Sequence, residues 1–584
     1  MSNSQNPDQV ESATGGVRVS KRPSRGNYLL VGLICLALMA GVGVLVVTHN
    51  KSAAATRRHQ ASAAAAQFLR TWASGNLSAL PAQTVTGSAT VAQAYASVDV
   101  ALGIATKPGG TAPASKKPTP PAAGLPIKFE LAAPIGSGDL ITVPATITID
   151  IPGLGTWRNP VRLHLRAAGD RSLIDWSPQA LAPAFKAGDH FRVTRTVPNR
   201  AAILGTDGQP LPASADVRAL VGAVGPATAA QSKSDPTLRP GDPIGQSGLQ
   251  SSSDATLRGA PSGNLTVVDP AGRLVATLAR WAGRTPEPVP STLNPTMQAA
   301  ADNALAHTGH PSALVAIDAR TGAVLAAASS PAGYPRALLG RYPPGSTFKM
   351  VTLTAALMAG RTLATPTSCT PTVTVNGYTL RNAAGESFGT IPLLRAFAVS
   401  CNTSFVNLAV SLPAGTMATA ATLLGCNTGH APLPVPSYGC SYPADATGTA
   451  YAASAIGQGT VLTSPLAIAA IAAAADSGTW RQTHLTPGAS PVSHPLPAAV
   501  ASGLREAMRA VVTSGTGTSA NLPGTPVFGK TGTAEHGTGK HPPTDAWFAA
   551  FRGNIAVAVL VEDAGFGATA ALPVVTSFLT ATTH

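Results

Sequence analysis

The sequence predicts an α/β chain of the α+β kind that is divided into several domains, and three observations support this prediction. The chain has 584 residues, which corresponds to three to five domains at roughly 100 to 200 residues per domain. Hydrophobic residues make up 44% and charged residues 11%, so the chain is not a charge-rich disordered polymer. Apolar residues recur with helical spacing in some segments and alternate as in strands in others. The order of these segments predicts a membrane helix, a small α+β domain, a pedestal domain and a large C-terminal domain.

A single membrane helix is predicted near the N-terminus. Residues 28–47 contain no charged residue, and 20 residues at 1.5 Å each cross a hydrocarbon core of about 30 Å. The positive-inside rule then places residues 1–27 in the cytoplasm and the rest of the chain outside it, because four basic residues precede the span: Arg18, Lys21, Arg22 and Arg25. The competing interpretation is a cleaved signal peptide with its cleavage site at Ala53-Ala54-Ala55, but such a peptide has an apolar region of only about 7 to 15 residues.

The positive charge of the chain does not indicate a nucleic-acid partner. The formal net charge is +14, yet the basic residues are scattered and no run of five like charges occurs. Proteins that bind nucleic acid usually concentrate Lys and Arg on one face or helix. We therefore expect attraction to an anionic envelope surface and no nucleic acid.

Two domains are predicted between the membrane helix and the C-terminal domain. Residues 53–176 begin with helical spacing and continue, after a Pro-rich linker at 106–126, with three segments that alternate as strands do. They predict a small α+β domain. Residues 177–285 contain one further strand and many turn residues, which predicts a loosely built pedestal domain.

The C-terminal domain, residues 286–584, is predicted to contain a five-stranded antiparallel sheet. Two strands joined by a turn open the domain at residues 312–330, and three strands and a helix close it after residue 525. The segment between them, roughly 350–509, has helical periodicity. The first two and last three strands of the sheet would thus come from opposite ends of the domain, with a helical lobe inserted between them.

Lysine usage indicates where chemistry takes place. The chain has 29 arginines and 11 lysines, and after residue 250 only Lys349, Lys530 and Lys540 remain. An amine can lose its proton in a protein, whereas a guanidinium cannot. Ser346 precedes Lys349 by three residues where a Pro/Gly turn meets a helical run, so both side chains share one helix face. This spacing is typical of a nucleophile beside its base, although a Ser helix cap with a surface Lys would show the same pattern.

Two further motifs support the catalytic interpretation. Ser400-Cys401-Asn402 ends a helical segment, and Lys530-Thr531-Gly532-Thr533 lies on a predicted strand. The motifs S-x-x-K, S-D-N and K-T-G form the set of class A β-lactamases and penicillin-binding proteins, and all three occur here in that order, with Cys in place of the middle Asp. Each motif alone has a plain structural explanation, but the three together at this spacing do not.

The chain resembles the class B penicillin-binding proteins, the membrane-anchored D,D-transpeptidases that cross-link peptidoglycan. The resemblance extends over GQGTVLTSPLAIA, KTGTAE and most of the extracytoplasmic part, and it implies a penicillin-binding transpeptidase or serine β-lactamase-like fold. Residues 53–176 are similar to the cone-like, nuclear-transport-factor-like domain of some class B proteins. The R-G-x-I-x-D-R-x-G segment of the family appears only in part, around Arg200 and Asp207. The dimerisation-type identity of the pedestal domain therefore rests on fewer matched residues.

The resemblance also implies residue roles. Ser346 would attack the carbonyl between the two terminal D-alanines of a stem peptide, and Lys349 would take its proton. Ser400 would relay a proton to the leaving amine, and Asn402 would hold Lys349 and the substrate amide. Lys530 would lower the pKa of Lys349, and the residues Thr531, Gly532 and Thr533 would bind the substrate. The backbone N–H groups of Ser346 and Thr533 would form the oxyanion hole.

The alternatives within and outside this family differ in specific residues. No Glu occurs between Asn402 and Glu506, which disfavours a rapidly deacylating class A β-lactamase, and residues 51–180 contain one Glu, which disfavours a glycosyltransferase domain. A D,D-carboxypeptidase and a non-catalytic β-lactam-binding scaffold or sensor stay as alternatives. The expected partners are stem peptides, β-lactams, a membrane glycan-strand polymerase and other cell-wall proteins.

Cysteine and histidine patterns predict disulfide chemistry rather than metal binding. Cys426 and Cys440 flank a Pro-rich loop, and a bridge closing about 15 residues would add about 3 kcal/mol in the chain-entropy model; four buried thiols are the alternative. Cys401 is expected to turn away from the cleft and to pack as a small buried thiol. The 12 histidines show no metal-ligand spacing, so we expect neither a metal nor a cofactor.

Overall fold

The computed structural model describes residues 27–105, 124–428, 433, 435–489, 492–537 and 542–582. The predicted cytoplasmic tail and most of the predicted linker lie outside the described residues. The chain divides into two compact units. One unit contains the residues up to Ile151 together with 155–193 and 264–279, and the other contains 152–154, 194–263 and 280–584.

The N-terminal region is a four-stranded antiparallel sheet covered by helices on one face. The strand order is β1-β2-β3-β4. Alternate residues of β2 and β3 are buried, as the sequence pattern predicts, and α1 buries Phe68, Leu69 and Trp72. The elements are α1 (Asn27–Ala73), α2 (Ala89–Ala101), β1 (Ile127–Leu131), β2 (Leu140–Ile151), β3 (Gly155–Ala168) and β4 (Arg171–Ile174).

The helix α1 is continuous from Asn27 and includes the segment in which a membrane span is predicted. Most side chains of residues 28–47 lie outside the described part of the chain. Within the part that is described, no helix is both long and apolar enough to cross a membrane.

The pedestal region is built from short elements that Arg–Asp pairs connect. Arg200 donates to Asp254 (2.7 Å), which also accepts from Arg258 (2.9 Å) and from the backbone N–H of Gly245 (2.7 Å). These charge-assisted bonds connect segments that are distant in the chain. The elements are β5 (His190–Thr196), β6 (Ile203–Leu204), α3 (Ala215–Val221), β7 (Val224–Pro226), α4 (Ala229–Ser234), β8 (Pro243–Gly245), α5 (Gly248–Ser252), α6 (Asp254–Arg258), β9 (Ser262–Val268), β10 (Leu274–Trp281) and β11 (Val289–Pro290).

The C-terminal region contains the predicted five-stranded antiparallel sheet. Its order is β13-β12-β24-β23-β22, so the first two and last three strands of the region meet where β12 pairs with β24, with Ala316 opposite Val557. The elements are α7 (Pro295–Leu305), β12 (Ser312–Asp318), β13 (Val324–Ser330), α8 (Arg336–Leu339), α9 (Lys349–Met358), β14 (Pro366–Cys369), β15 (Thr372–Val375), β16 (Tyr378–Arg381), β17 (Gly389–Pro392), α10 (Leu393–Ala398), α11 (Asn402–Val410), α12 (Thr416–Leu423), β18 (Cys440–Ser441), α13 (Gly448–Ser454), β19 (Leu462–Thr463), α14 (Pro465–Ser477), β20 (Thr479–Arg481), β21 (Ser493–Pro495), α15 (Ala498–Ser514), β22 (Val527–Glu535), β23 (Thr544–Arg552), β24 (Ile555–Val561) and α16 (Ala571–Thr582).

Both faces of this sheet are buried, which explains its nearly continuous apolar strands. On one face Val315 and Leu560 belong to a core with α9 and α14. On the other face Phe548 and Val559 pack with α7 and α16. The lobe between α9 and α15 is not purely helical, because its described part also contains four two-stranded ribbons. Their strands of two to four residues are too short to produce a recognisable alternating pattern.

A buried carboxyl group lies between α1 and α2 in the N-terminal region. Asp99 is 1% exposed, and it accepts a hydrogen bond of 2.8 Å from Trp72 Nε1. The ring of Trp72 also meets that of Tyr95 edge-on at 4.7 Å. Burial raises the pKa of Asp99 to about 6, and the bond from Trp72 offsets only part of the increase.

We predict that Asp99→Asn stabilises the N-terminal region at pH 8. The wild-type carboxyl is protonated in both folded and unfolded chains below pH 4, and its contribution to stability is lost as the pH rises to about 6. A pKa raised by about two units corresponds to at most about 3 kcal/mol, whereas the Asn oxygen still accepts from Trp72 without a charge. Pulse hydrogen exchange of peptides from β2 and β3 across a urea series, at pH 4 and pH 8, measures the difference. Asp150→Asn, on the other face of the sheet, is the control; equal midpoints for Asp99→Asn and wild type at pH 8 would contradict the assignment.

Candidate active site

The predicted nucleophile lies in a tight turn before α9. Ser346 is part of a 3₁₀ turn, Gly345–Phe348, and the α-helix begins at Lys349, where the Pro/Gly turn is predicted to give way to a helical run. Gly345 has a φ of 51°, and a Cβ there would lie 2.4 Å from the carbonyl oxygen of Thr533. Only glycine therefore allows this turn to approach β22 so closely.

The Lys349 amine lies at the centre of the site. Its Nζ donates to Ser346 Oγ (2.9 Å), to the backbone oxygen of Ser400 (2.7 Å) and to Asn402 Oδ1 (2.6 Å), and it is 3.3 Å from Ser400 Oγ. The side chain is fully buried. The structure thus joins the first two predicted motifs through one nitrogen atom.

The Ser400-Cys401-Asn402 segment connects α10 to α11 through a residue with unusual backbone geometry. Ser400 has a φ of 61°, a conformation that costs a non-glycine residue of order 1 to 3 kcal/mol and is often found at functional sites. It turns Ser400 and Asn402 toward Lys349, while Cys401 between them is 1% exposed. Asn402 Nδ2 donates to the backbone oxygen of Arg381 at 3.0 Å, which fixes the amide orientation.

The third predicted motif supplies a second buried amine. Lys530 lies on β22, an edge strand of the sheet, and is fully buried. Its Nζ donates to Ser400 Oγ and to the backbone oxygen of Thr531, both at 2.9 Å. Ser400 Oγ is therefore shared by the two lysines.

Burial lowers the pKa of both lysine amines, and the charge of Lys530 lowers that of Lys349 further. The pKa of Lys349 is well below its ordinary value, because the side chain is removed from water and the Lys530 cation is close; Glu386 opposes this shift. Burial lowers the pKa of Lys530 to about 7. A neutral Lys349 has a lone pair for the Ser346 proton, which an exposed lysine would lack at neutral pH.

Two residues that the sequence did not reveal position the substrate-facing side of β22. Thr516 contacts Thr531 Oγ1 at 2.6 Å, and the backbone N–H of Gly567 donates to Thr533 Oγ1 at 3.3 Å. Neither residue belongs to a recognisable motif, and both are more than ten residues from β22 in the chain. Only the folded structure brings them together.

The lobe contains two disulfides, one of which corrects the interpretation of Cys401. The Cys426–Cys440 bridge is present, which confirms that pairing. Cys401, however, is not a free thiol: it is bonded to Cys369 at the end of β14. Cys401 is buried as expected, but the reason is a cross-link between β14 and the start of α11, which the separation of 32 residues did not indicate.

The arrangement is that of a serine acyl-transfer site. A hydroxyl lies 2.9 Å from an amine that has lost access to water, and a second hydroxyl connects this amine to another cation. A nucleophile and base in hydrogen-bond reach, with the base oriented by a third group, are the requirements for covalent catalysis.

Matches to known protein domains and relatives show the family to which this chain belongs. Residues 312–580 match the penicillin-binding protein transpeptidase domain, and residues 196–288 match the penicillin-binding protein dimerisation domain. The chain is 32% identical over 330 residues to the peptidoglycan D,D-transpeptidase PbpA of Mycobacterium tuberculosis strain H37Rv, which covers 47% of this chain and 67% of that protein. The chain belongs to the class B penicillin-binding protein transpeptidases.

Further relatives agree in sequence and in fold. PbpA of Mycolicibacterium smegmatis is 32% identical over 377 residues, which covers 54% of this chain and 74% of that protein. The ceftriaxone acyl-enzyme complex of penicillin-binding protein A from M. tuberculosis superposes with a TM-score of 0.53 at 26% identity, covering 66% of this chain and 99% of that structure.

We predict that Lys349→Arg removes acylation as completely as Lys349→Ala, because a permanently charged guanidinium cannot accept the Ser346 proton. The second-order rate of labelling by a fluorescent penicillin measures this. If the Lys349→Arg variant were labelled at the wild-type rate, Lys349 could not be the base.

Since Lys530 lowers the pKa of Lys349, the increase of the labelling rate with pH, which follows deprotonation of Lys349, should occur at a higher pH in Lys530→Met than in wild type.

We predict different consequences for loss of the two disulfides. In the chain-entropy model the Cys369–Cys401 bridge contributes about 4 kcal/mol and the Cys426–Cys440 bridge about 3 kcal/mol. Both double Ala variants should therefore unfold at lower denaturant concentration. Only Cys369→Ala/Cys401→Ala should also slow penicillin labelling of the folded protein, because it frees the segment that holds Ser400 and Asn402. Equal labelling rates in the two folded variants would show that the bridge does not position this segment.

Proposed function

We propose that the protein is a peptidoglycan D,D-transpeptidase in which Ser346 forms the acyl-enzyme. The observation that supports this most directly is the 2.9 Å contact between Ser346 Oγ and the fully buried amine of Lys349. The relatives named PbpA are peptidoglycan D,D-transpeptidases, and the neighbouring acyl-enzyme structure supports acylation by β-lactams.

In the first step Ser346 Oγ attacks the carbonyl carbon of the penultimate D-alanine while Lys349 takes the hydroxyl proton. The peptide bond to the terminal D-alanine breaks, and its nitrogen receives a proton from Lys349 through Ser400, whose Oγ lies 3.3 Å from Lys349 Nζ. The products are an ester on Ser346 and free D-alanine.

In the second step the amine of another stem peptide attacks the ester carbonyl. Ser346 leaves as the alcohol after it recovers a proton, and a new peptide bond joins the two stems. Lys530 serves both steps electrostatically, since its contact with Ser400 Oγ (2.9 Å) orients that hydroxyl and its charge holds the pKa of Lys349 low. The backbone N–H groups of Ser346 and Thr533 would stabilise the oxyanion, at about 3 kcal/mol per donor in other acyl-transfer enzymes.

The substrate is proposed to align along the open edge of β22. Thr531 and Thr533 would hold its terminal carboxylate. Gly532 between them allows β22 to pack closely against the turn that carries Ser346, because a Cβ there would lie 2.8 Å from Thr347 Cγ2. Asn402, fixed by Lys349 and Arg381, would bind the substrate amide.

We also propose that the protein is anchored in the cell membrane by a single span with its catalytic region outside the cytoplasm. The uncharged residues 28–47 and the basic residues before them support this placement. The cone-like, nuclear-transport-factor-like identity of residues 53–176 and a membrane glycan-strand polymerase as partner are likewise proposals, based on the resemblance to class B proteins.

We predict that Ser346→Ala abolishes both penicillin labelling and the release of D-alanine from pentapeptide glycan, because the hydroxyl is the nucleophile. The full chain in detergent is labelled, and mass spectrometry locates the adduct. Ser411→Ala, at the end of α11, is the matched control and should label as wild type. An adduct on another residue would overturn the assignment. D-alanine release that yields only tetrapeptide, even with an amine acceptor present, would instead indicate a carboxypeptidase.

A further inference from the structure

A cluster of one histidine and two aspartates lies three residues beyond Thr533, at the end of β22. His536 follows β22, Asp545 lies at the start of β23 and Asp563 follows β24. His536 Nε2 is 2.9 Å from Asp563 Oδ1 and 3.3 Å from Asp545 Oδ1. Because the three strands are neighbours in the sheet, the cluster joins their adjacent ends.

The spacing of these atoms suits a metal ion. One nitrogen or oxygen atom from each residue lies within 4.8 Å of the other two. In a tetrahedral zinc site with bonds of about 2.0 to 2.1 Å, two ligand atoms are about 3.3 Å apart. The two contacts of His536 differ from this value by 0.4 Å or less, so its nitrogen atom lies at the spacing of two zinc ligands from both carboxylates.

The negative charge of the two carboxylates also favours a bound cation. Asp545 is 4% exposed, and a buried carboxylate without a counter-charge is costly. The neighbouring Glu562 does not compete for His536, because it already accepts from Arg336 (2.8 Å) and from the Tyr342 hydroxyl (2.6 Å). Among the described residues, His536 is the one positively ionisable side chain within 4.0 Å of Asp545 and Asp563. An imidazole that binds a metal is neutral, so the two carboxylates together would balance the charge of one divalent cation.

Backbone contacts hold the cluster in place. The N–H of Asp563 donates to Asp545 Oδ1 at 3.2 Å, and the N–H of His536 donates to the backbone oxygen of Pro543 at 3.1 Å. The outer side is open to solvent, since the side chains of His536 and Asp563 are 34% and 55% exposed. Three protein ligands with an open fourth position for water are a common zinc arrangement.

We propose that His536, Asp545 and Asp563 form a Zn²⁺ site that fixes the end of β22 next to the catalytic cleft. One imidazole and two carboxylates favour zinc over magnesium or calcium, which prefer oxygen ligands alone. The proposal does not depend on the transpeptidase function, because the ligands are outside the Ser346, Lys349 and Lys530 constellation. The chemistry that competes with it is an imidazolium that pairs with both aspartates and needs no metal.

Metal uptake by the full chain in detergent distinguishes the zinc site from the metal-free imidazolium pair. Protein stripped with a chelator is dialysed against buffered Zn²⁺ at pH 7.5, and bound zinc is measured by elemental mass spectrometry. Wild type should bind one Zn²⁺ per chain, and Co²⁺ in its place should give visible absorption bands of a four- or five-coordinate site. His536→Gln should bind Zn²⁺ more weakly by at least about the tenfold loss seen when a residue that only supports a ligand is removed, because it loses the nitrogen ligand itself. Asp563→Asn, at an exposed position, is a second variant in case the first folds poorly.

The matched control is His310→Gln, an exposed histidine outside the cluster, which should bind Zn²⁺ as wild type does. Penicillin labelling and circular dichroism check that each variant is folded, so a failure of the proposed function and a failure of the zinc site are separable. Wild type that takes up no Zn²⁺ at micromolar free metal would overturn the proposal in favour of the imidazolium pair. Unchanged binding in folded His536→Gln and Asp563→Asn would also overturn it, because the metal would then be bound elsewhere.

Discussion

A lysine amine without access to water is the constraint on which this catalytic region depends. Lys349 is fully buried, and an unpaired buried ammonium costs several kcal/mol. Two segments that are distant in the chain, the turn at Ser346 and the α10–α11 connection, place hydrogen-bond acceptors around the amine. A third segment, the strand β22, carries Lys530, whose charge favours the neutral form of Lys349. The first two segments need an unusual backbone conformation to reach the amine, as the positive φ angles of Gly345 and Ser400 show. The three motifs therefore act together to keep the Lys349 amine buried and partly neutral.

The parts of this fold that sequence reasoning predicted are those with a period or a motif. The strands of the main sheet, such as β12 and β24, are long enough to show continuous apolar runs, and β2 and β3 alternate over 12 and 14 residues. The site residues were recognisable because their chemistry ties them to short fixed spacings. β4 and the small ribbons of the lobe were not predicted, because strands of two to four residues are too short to show an alternating pattern.

Contacts between distant residues were not predictable in the same way. The Cys369–Cys401 bridge spans 32 residues without a loop signature, and Cys401 has the burial of a free thiol. The ligands of the proposed zinc site lie nine and eighteen residues apart at the ends of three strands, so a search for local histidine patterns could not find them. Thr516 is similar, since a threonine acquires a positioning role only when the fold brings it to Thr531.

The pairing of β12 with β24 has a consequence for the time course of synthesis. Ala316 and its partner Val557 are about 240 residues apart, so at roughly 5 to 20 residues per second the ribosome needs about 12 to 48 s between them. Until then the β12–β13 hairpin has an unpaired edge, and for most of this interval β22 (Val527–Glu535), which carries Lys530, has not been synthesised. Contacts of such long range also form slowly once the chain is complete. The emerging chain thus passes through a long interval in which Ser346 has been made but Lys530 has not, and no fragment that ends before Lys530 has a complete catalytic centre.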